Sequence, residues 1–194
     1  MLFGLGKREA ILAAGFELFA TRGFENTSVE DIQQRAGIAM ATLYKYFPNK
    51  ELLVNEVYRE LRTQLEDALS IGIIDEGSPR AQFHELWVEM ASFHRKHPLA
   101  IPFLENRHHG AYLDQVSRVL ERVPEPIVAL IDRMSRNKIA KALPRMILAT
   151  VIWGTFVELV KLESQDLLSL SRDTLKAAED STWDASRADH AVGR

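Results

Sequence analysis

Cysteine is absent from all 194 residues. Disulfide staples and thiolate metal sites are excluded, and a reducing compartment is the natural setting. Long apolar runs are also scarce. The longest uncharged stretch, Met146–Val157, has twelve residues, whereas a membrane-spanning helix needs about twenty. Positive charge ahead of an N-terminal apolar run is missing, and Glu17 interrupts the next apolar run, so no export signal is expected. These absences predict a soluble, cytoplasmic protein with no membrane partner. Strong net charge is lacking too. The total is −3, which is not that of a nonspecific nucleic-acid coat. Residues 1–50 hold six Lys/Arg against five Asp/Glu, and the remainder holds eighteen against twenty-two. A Gly-rich phosphate loop, an HExxH pair and a nucleophile at recognisable spacing are all missing, so neither an enzyme nor a cofactor is expected.

Histidine is the one metal-ligating type that clusters: five of the six lie between His84 and His109. His94 and His97 are three apart, and His108 and His109 are adjacent. A metal needs about three or four converging donors, and no carboxylate is spaced to complete such a set. No metal is expected, and these histidines read as surface or partly buried groups.

What is present is ordinary globular composition, 46% apolar and 26% charged, in a chain long enough for one or two domains. The informative stretch is Ser28–Phe47. Val29, Ile32 and Ala36 recur at one helical face. Gly37 comes next, a residue that tolerates the left-handed conformation ending a helix. Leu43, Tyr46 and Phe47 then form one face of a second short helix. Ser28 with Asp31 three residues on predicts an N-cap and capping box. Two short helices around a Gly-containing turn make a helix-turn-helix, whose second helix enters the DNA major groove. The outward face would be Met40, Ala41, Thr42, Tyr44 and Lys45. On pattern alone, any helical hairpin in an all-helical protein would look the same.

A longer match covers about the first fifty residues. Ile11-Leu12-x-Ala14, Leu18-Phe19, Gly23, Thr27, Val29, Ile32, Ala36-Gly37-Ile38, Thr42-Leu43-Tyr44-x-Tyr46-Phe47 and Lys50-Glu51-x-Leu53 resemble the DNA-binding domain of tetracycline-repressor (TetR) family regulators. The chain departs from the family at Gln33, where Ala is common, and at Ala39, where Ser is common. The resemblance implies an all-α protein. Residues 1–49 would form a three-helix helix-turn-helix domain, and residues 50–183 a larger helical domain for ligand binding and dimerisation. Residues 184–194 are expected to be a flexible tail. It implies DNA contact from Thr27, Ser28, Ala39, Met40, Ala41, Thr42, Tyr44, Lys45, Tyr46 and Lys50.

Along the rest of the chain, periodicity predicts helices over about Leu5–Arg22 and Lys50–Ile71. Residues 72–77 read as a linker. Ser78-Pro79 opens a further helix that runs to His97. Short helices are expected around Ile101–Leu104 and over Tyr112–Val123, and another comes after Pro124. The segment Ala142–Leu162 is apolar on nearly all sides and must be covered on nearly all sides. A last helix is expected over Gln165–Ala178, and from Ser181 on the periodicity is lost apart from Trp183. The resemblance implies that the final two helices pair with their copies in a homodimer. Ala149, Gly154, Val157, Leu167 and Leu170 are the expected interface residues. A central helix buried within a monomer is the other reading.

In this family a small molecule binds inside the larger domain and shifts the long helix that begins at Lys50, releasing a near-palindromic, double-stranded operator. Trp87, Met90, Phe93, Phe103 and Trp153 are the candidate pocket lining, and plain core is the alternative for each. An apolar effector suits them best. The alternative function is a helical protein-interaction module whose helix-turn-helix no longer binds DNA.

Overall fold

The computed structural model describes residues 2–71, 77–106, 112–119 and 122–188. His108, His109 and most of the expected 72–77 linker lie outside these. Among the described residues there are ten helices and no strand: α1 (Lys7–Arg22), α2 (Val29–Ala36), α3 (Met40–Tyr46), α4 (Lys50–Ile71), α5 (Pro79–Lys96), α6 (Ala100–Leu104), α7 (Gln115–Val119), α8 (Glu125–Arg136), α9 (Arg145–Ser164) and α10 (Arg172–Ser186). The all-α expectation holds.

The helices form two compact units interleaved along the chain. Unit 1 is Met1–Gln64 with His97–Arg122, and unit 2 is Leu65–Lys96 with Val123–Arg194. The first therefore takes in more than the leading forty-nine residues: most of α4, all of α6 and all of α7 belong to it.

Unit 1 is built on α1. Ile11, Leu12, Leu18 and Phe19 are buried on one side of it, with Ile32, Leu43, Phe47, Leu53 and Val57 from the next three helices and their ends. Gly15 lets α4 approach closely, since a Cβ there would sit 3.2 Å from the Leu53 side chain. The segment after His97 docks on the same framework. Phe103 of α6 meets Phe16 edge-on at 5.6 Å, and Tyr112 stacks on Phe24 at 3.9 Å. Asn55, buried in α4, donates to the Tyr112 carbonyl (2.9 Å) and accepts from the Asp114 amide (2.8 Å). Arg59 adds bonds to Asp114 (2.9 Å) and Ser117 (3.0 Å). Within the short helix expected over Tyr112–Val123, residues 120 and 121 lie outside the described residues, and the described helix is α7. The Asp114 carboxylate caps it by accepting from the Ser117 amide at 2.8 Å.

Unit 2 packs α8 and α9 together, with α5 and α10 against them. Phe83, Leu86, Trp87, Met90, Ile127, Leu130, Ile131, Leu148, Ile152 and Phe156 are buried. Two expected boundaries move. The apolar helix begins at Arg145 because Pro144, with φ −51 and ψ 132, is its N-cap. It ends at Ser164, and Asp166 then turns left-handed at φ 57. The last helix starts only at Arg172, where the Ser171 hydroxyl accepts from the Thr174 amide at 3.1 Å. It continues through Ser186, past the point where periodicity fades, because Trp183 packs edge-on against Phe83 at 5.1 Å.

Candidate nucleic-acid interface

The helix-turn-helix is assembled by local bonds. The Ser28 hydroxyl accepts from the Asp31 amide, and the Asp31 carboxylate accepts from the Ser28 amide, each at 3.0 Å. This is the expected capping box. The backbone bond from Ser28 is the main reason that the Asp31 carboxyl titrates below its usual range. At the other end of α2, Gly37 adopts φ 66, ψ 34, which costs little in a residue without a Cβ.

α3 then presents two different sides. Leu43 is buried at 2% exposure and Phe47, the C-cap, at 3%. Ala39, Ala41, Tyr44, Lys45 and Tyr46 are exposed, while Met40 and Thr42 are half-buried. Tyr46 shares the helical period of Leu43 and Phe47, yet it stands in solvent at 41% exposure. The reason is that α3 stops there: Phe47 turns extended, with φ −133 and ψ 98, and no further turn covers Tyr46.

Two of the expected contact residues are engaged within the protein. Thr27 is buried at 1% exposure, and its hydroxyl donates to the Gly23 carbonyl at 2.8 Å. Lys50 spends its ammonium inside the protein. It donates to the carbonyls of Phe24 and Thr27, both at 3.0 Å, and lies 4.1 Å from the Phe24 ring centre. Both residues fix the loop between α1 and α2. Ser28 is exposed, with its hydroxyl engaged by Asp31.

The charges around this surface are mostly paired. Arg35 bonds Glu17 at 2.5 Å, Arg8 bonds Glu56 at 2.6 Å, and Arg22 lies 3.9 Å from Asp31. Exposed pairs of this kind contribute little to stability, but each offsets a positive charge. Lys45 stands on the open side of α3, and no ion pair involves it among the described residues.

The comparisons agree with this geometry. Residues 11–57 match the family model described as bacterial regulatory proteins, tetR family, and residues 58–188 match that of the tetracyclin repressor-like C-terminal domain. The chain belongs to the TetR family. Curated relatives match over short stretches of the chain. An uncharacterized HTH-type transcriptional regulator of Bacillus subtilis is 36% identical over 64 residues, which is 33% of each chain. The HTH-type transcriptional repressor KstR2 of Rhodococcus jostii is 43% identical over 54 residues, 28% of this chain and 26% of that one. The matched part thus spans about a third or less of these relatives. Solved structures match over nearly the whole chain. A TetR family transcription regulator from Marinobacter aquaeolei has a TM-score of 0.83 at 24% identity, covering 93% of this chain and 95% of that one. A TetR-family transcriptional regulator from Haemophilus influenzae has 0.79 at 16% identity, covering 94% and 97%. At these identities the likeness establishes the fold.

In the TetR-type C-terminal part, all five candidate pocket residues are buried. Trp87 meets Phe156 at 5.7 Å, and Phe156 stacks with Trp153 at 6.3 Å, so these form one aromatic row in unit 2 with Met90 and Phe93 on α5. Phe103 belongs to unit 1, where it meets Phe16. An open concavity of about 430 Å³ in unit 2 is lined instead by Glu66, Asp67, Ser70, Glu125, Pro126 and Ala129, none of them expected from the sequence.

The expected dimer residues divide. Ala149 is fully buried and Val157 nearly so, on the inner side of α9. Leu167 and Leu170 lie in the loop before α10 and not on a helix. The Glu163 carboxylate fixes that loop by accepting from the Leu170 amide at 2.9 Å. Gly154 remains on the outer side, with Thr150, Val151, Ile147 and Met146. Ile147 is 48% exposed and Met146 45%. No helix among the described residues is long and apolar enough to cross a membrane.

Proposed function

We propose that the protein is a dimeric, ligand-responsive transcriptional repressor of the cytoplasm that binds a near-palindromic operator through α3. Residues 1–49 carry the DNA-binding surface, and residues 50–183 the regulatory and dimerising part. The observation that carries the reading is α3 itself: buried Leu43 and Phe47 seat it, while Ala41, Tyr44, Lys45 and Tyr46 face outward. Ser28, Ala39, Met40 and Thr42 complete the surface offered to DNA, with Thr27 and Lys50 supporting it from within. Repression, rather than activation, is favoured by the relative named a repressor.

A single head with so few unpaired cations neutralises few phosphates, and a two-fold pair doubles that number. Two such heads would read successive major grooves about 34–36 Å apart. Pairing is assigned to the outer side of α9, through Gly154 and its exposed apolar neighbours.

The effector reading rests on Trp87, Met90, Phe93 and Trp153. Two buried polar atoms on one face of α5, Trp87 Nε1 and His94 Nδ1, have no hydrogen-bond partner among the described residues. Buried polar atoms are normally satisfied, so a mainly apolar ligand carrying one or two hydrogen-bonding groups suits this interior. For release, the ligand must favour one separation of the heads by differential affinity. The reading assigns no catalysis to the chain.

Selection of bound sites from random duplex DNA with the purified full-length protein tests the proposal. The expected result is a near-palindrome whose half-sites are about one helical turn apart, bound with an affinity that falls steeply as salt rises. No enrichment of any sequence would overturn it.

A further inference from the structure

The turn between α2 and α3 is closed by more than its glycine. The Gly37 amide donates to the Gln34 carbonyl at 3.2 Å, and the Ile38 amide donates to the Gln33 carbonyl at 3.4 Å. That pair of bonds is a common way for a helix ending in a left-handed glycine to satisfy its last carbonyls. A third bond involves a side chain: the Gln33 amide nitrogen, Nε2, donates to the carbonyl of Ile38. Gln33 therefore holds both polar atoms of the Ile38 backbone. The Ile38 carbonyl belongs to the peptide plane joining Ile38 to Ala39, and Ala39 is the N-cap of α3. Holding that plane sets the direction in which α3 departs.

The start of α3 has little else to hold it. Ala39 has the extended dihedrals of an N-cap, φ −75 and ψ 143, but no side chain to accept from the first amides. Ser28 does that for α2, and Ser171 for α10. With seven residues, α3 is about two turns long, and helices so short are not stable alone. Its packing anchors, Leu43 and Phe47, lie at its midpoint and just beyond its end. The residues offered to DNA at its beginning depend on the turn.

We propose that Gln33 is a positioning residue for DNA reading, which clasps the Ile38 backbone and so holds the start of α3 in place of the capping side chain that Ala39 lacks. This rests on the reading of α3 as the DNA-reading helix. Gln33 acts through the Ile38–Ala39 peptide plane.

The test uses the site that the wild-type protein selects from random DNA and a scrambled duplex of equal length. Gln33→Met keeps the length of the side chain and removes the donor. It should lower affinity for the selected site about fivefold, the scale of one hydrogen bond, and leave affinity for the scrambled duplex near wild type. Adding Ala39→Ser should restore most of the lost preference, because a serine there accepts from the first amides of α3. The ratio of the two affinities separates positioning from general stability. A residue that only held the fold together would lower the melting midpoint and both affinities alike.

A ratio that Gln33→Met leaves within about twofold of wild type overturns the role of Gln33. A double variant that stays at the level of Gln33→Met overturns its substitution for the missing cap. A wild type that selects no site overturns the reading of α3 and the role of Gln33 with it. Should Gln33→Met fail to fold, side-chain amide exchange in the wild-type protein decides. The Gln33 Nε2 protons should exchange more slowly than those of the exposed Gln34, and equal rates overturn the clasp.

Discussion

On α3, the side chains that hold and the side chains that face DNA are neighbours in sequence, so single substitutions should separate the two tasks. Tyr44 is 47% exposed and Lys45 is exposed without an ion pair among the described residues, whereas Leu43 beside them is buried. Truncating either exposed residue should leave stability within about 0.5 kcal/mol of wild type, as is usual for surface positions. Tyr44→Ala and Lys45→Ala should each weaken binding to the selected operator. Lys45→Ala should also lower the slope of log affinity against log salt by about one. Salt titrations of the binding isotherm, with thermal melts alongside, check both; unchanged operator affinity in both variants would remove α3 from its proposed role. The inward and outward sides of α3 were legible in the spacing of Leu43 and Phe47, and the capping box in Ser28 and Asp31. Thr27 and Lys50 were not. Lys50 is held by carbonyls 26 and 23 residues away, and backbone acceptors leave no mark in sequence. Gln33 read as a departure from the family pattern, because a bond to a carbonyl five residues on is equally silent.

At the scale of whole elements, the sequence succeeded where a helix carries its own stop signal and failed where the stop comes from elsewhere. Gly37 marked a real end, in the left-handed conformation at φ 66. The start of α10 was placed at Gln165 rather than Arg172 because Leu167, Leu168 and Leu170 continue an apolar pattern through the loop. The available cue was Ser171 with Thr174, an N-cap signature inside the expected helix. Trp183 was likewise read as an isolated aromatic, although its contact with Phe83 extends α10. The His97–Arg122 segment shows the same limit on a larger scale. Its membership of unit 1 depends on Asn55, which bonds the Glu51 carbonyl (2.7 Å), the Tyr112 carbonyl and the Asp114 amide while only 3% exposed. Asn55→Ala leaves the last two without this partner. It should destabilise the protein by about 1–3 kcal/mol, the usual cost of stranding buried polar groups. Urea denaturation measures this directly. A change below about 0.5 kcal/mol would mean that Arg59 and the Phe24–Tyr112 stack hold the segment without it.

At the scale of the whole molecule, the apolar character of α9 posed a choice between a monomer core and a dimer surface, and the two sides of the helix answer differently. Ala149 has no exposed surface, so the inner side is already covered by the chain itself. The outer side carries Ile147 and Met146, each nearly half exposed, and Gly154, where an added Cβ would meet only the Thr150 methyl at 3.8 Å. A larger side chain at Gly154 therefore fits the isolated fold and obstructs a second helix laid against it. Gly154→Leu should keep the helical circular dichroism spectrum and the melting behaviour of a folded chain while sedimenting as a monomer. Loss of pairing should also cost most of the affinity for the full palindrome, since each head alone covers one half-site. Ala149→Leu is the opposite case. It forces extra volume into a filled interior, at about 1–3 kcal/mol, and its first effect should be on stability and not on assembly. Sedimentation and denaturation of the two variants thus place the interface on one side of α9 or the other. A Gly154→Leu protein that remains a tight dimer would move the pairing surface away from the outer face of α9.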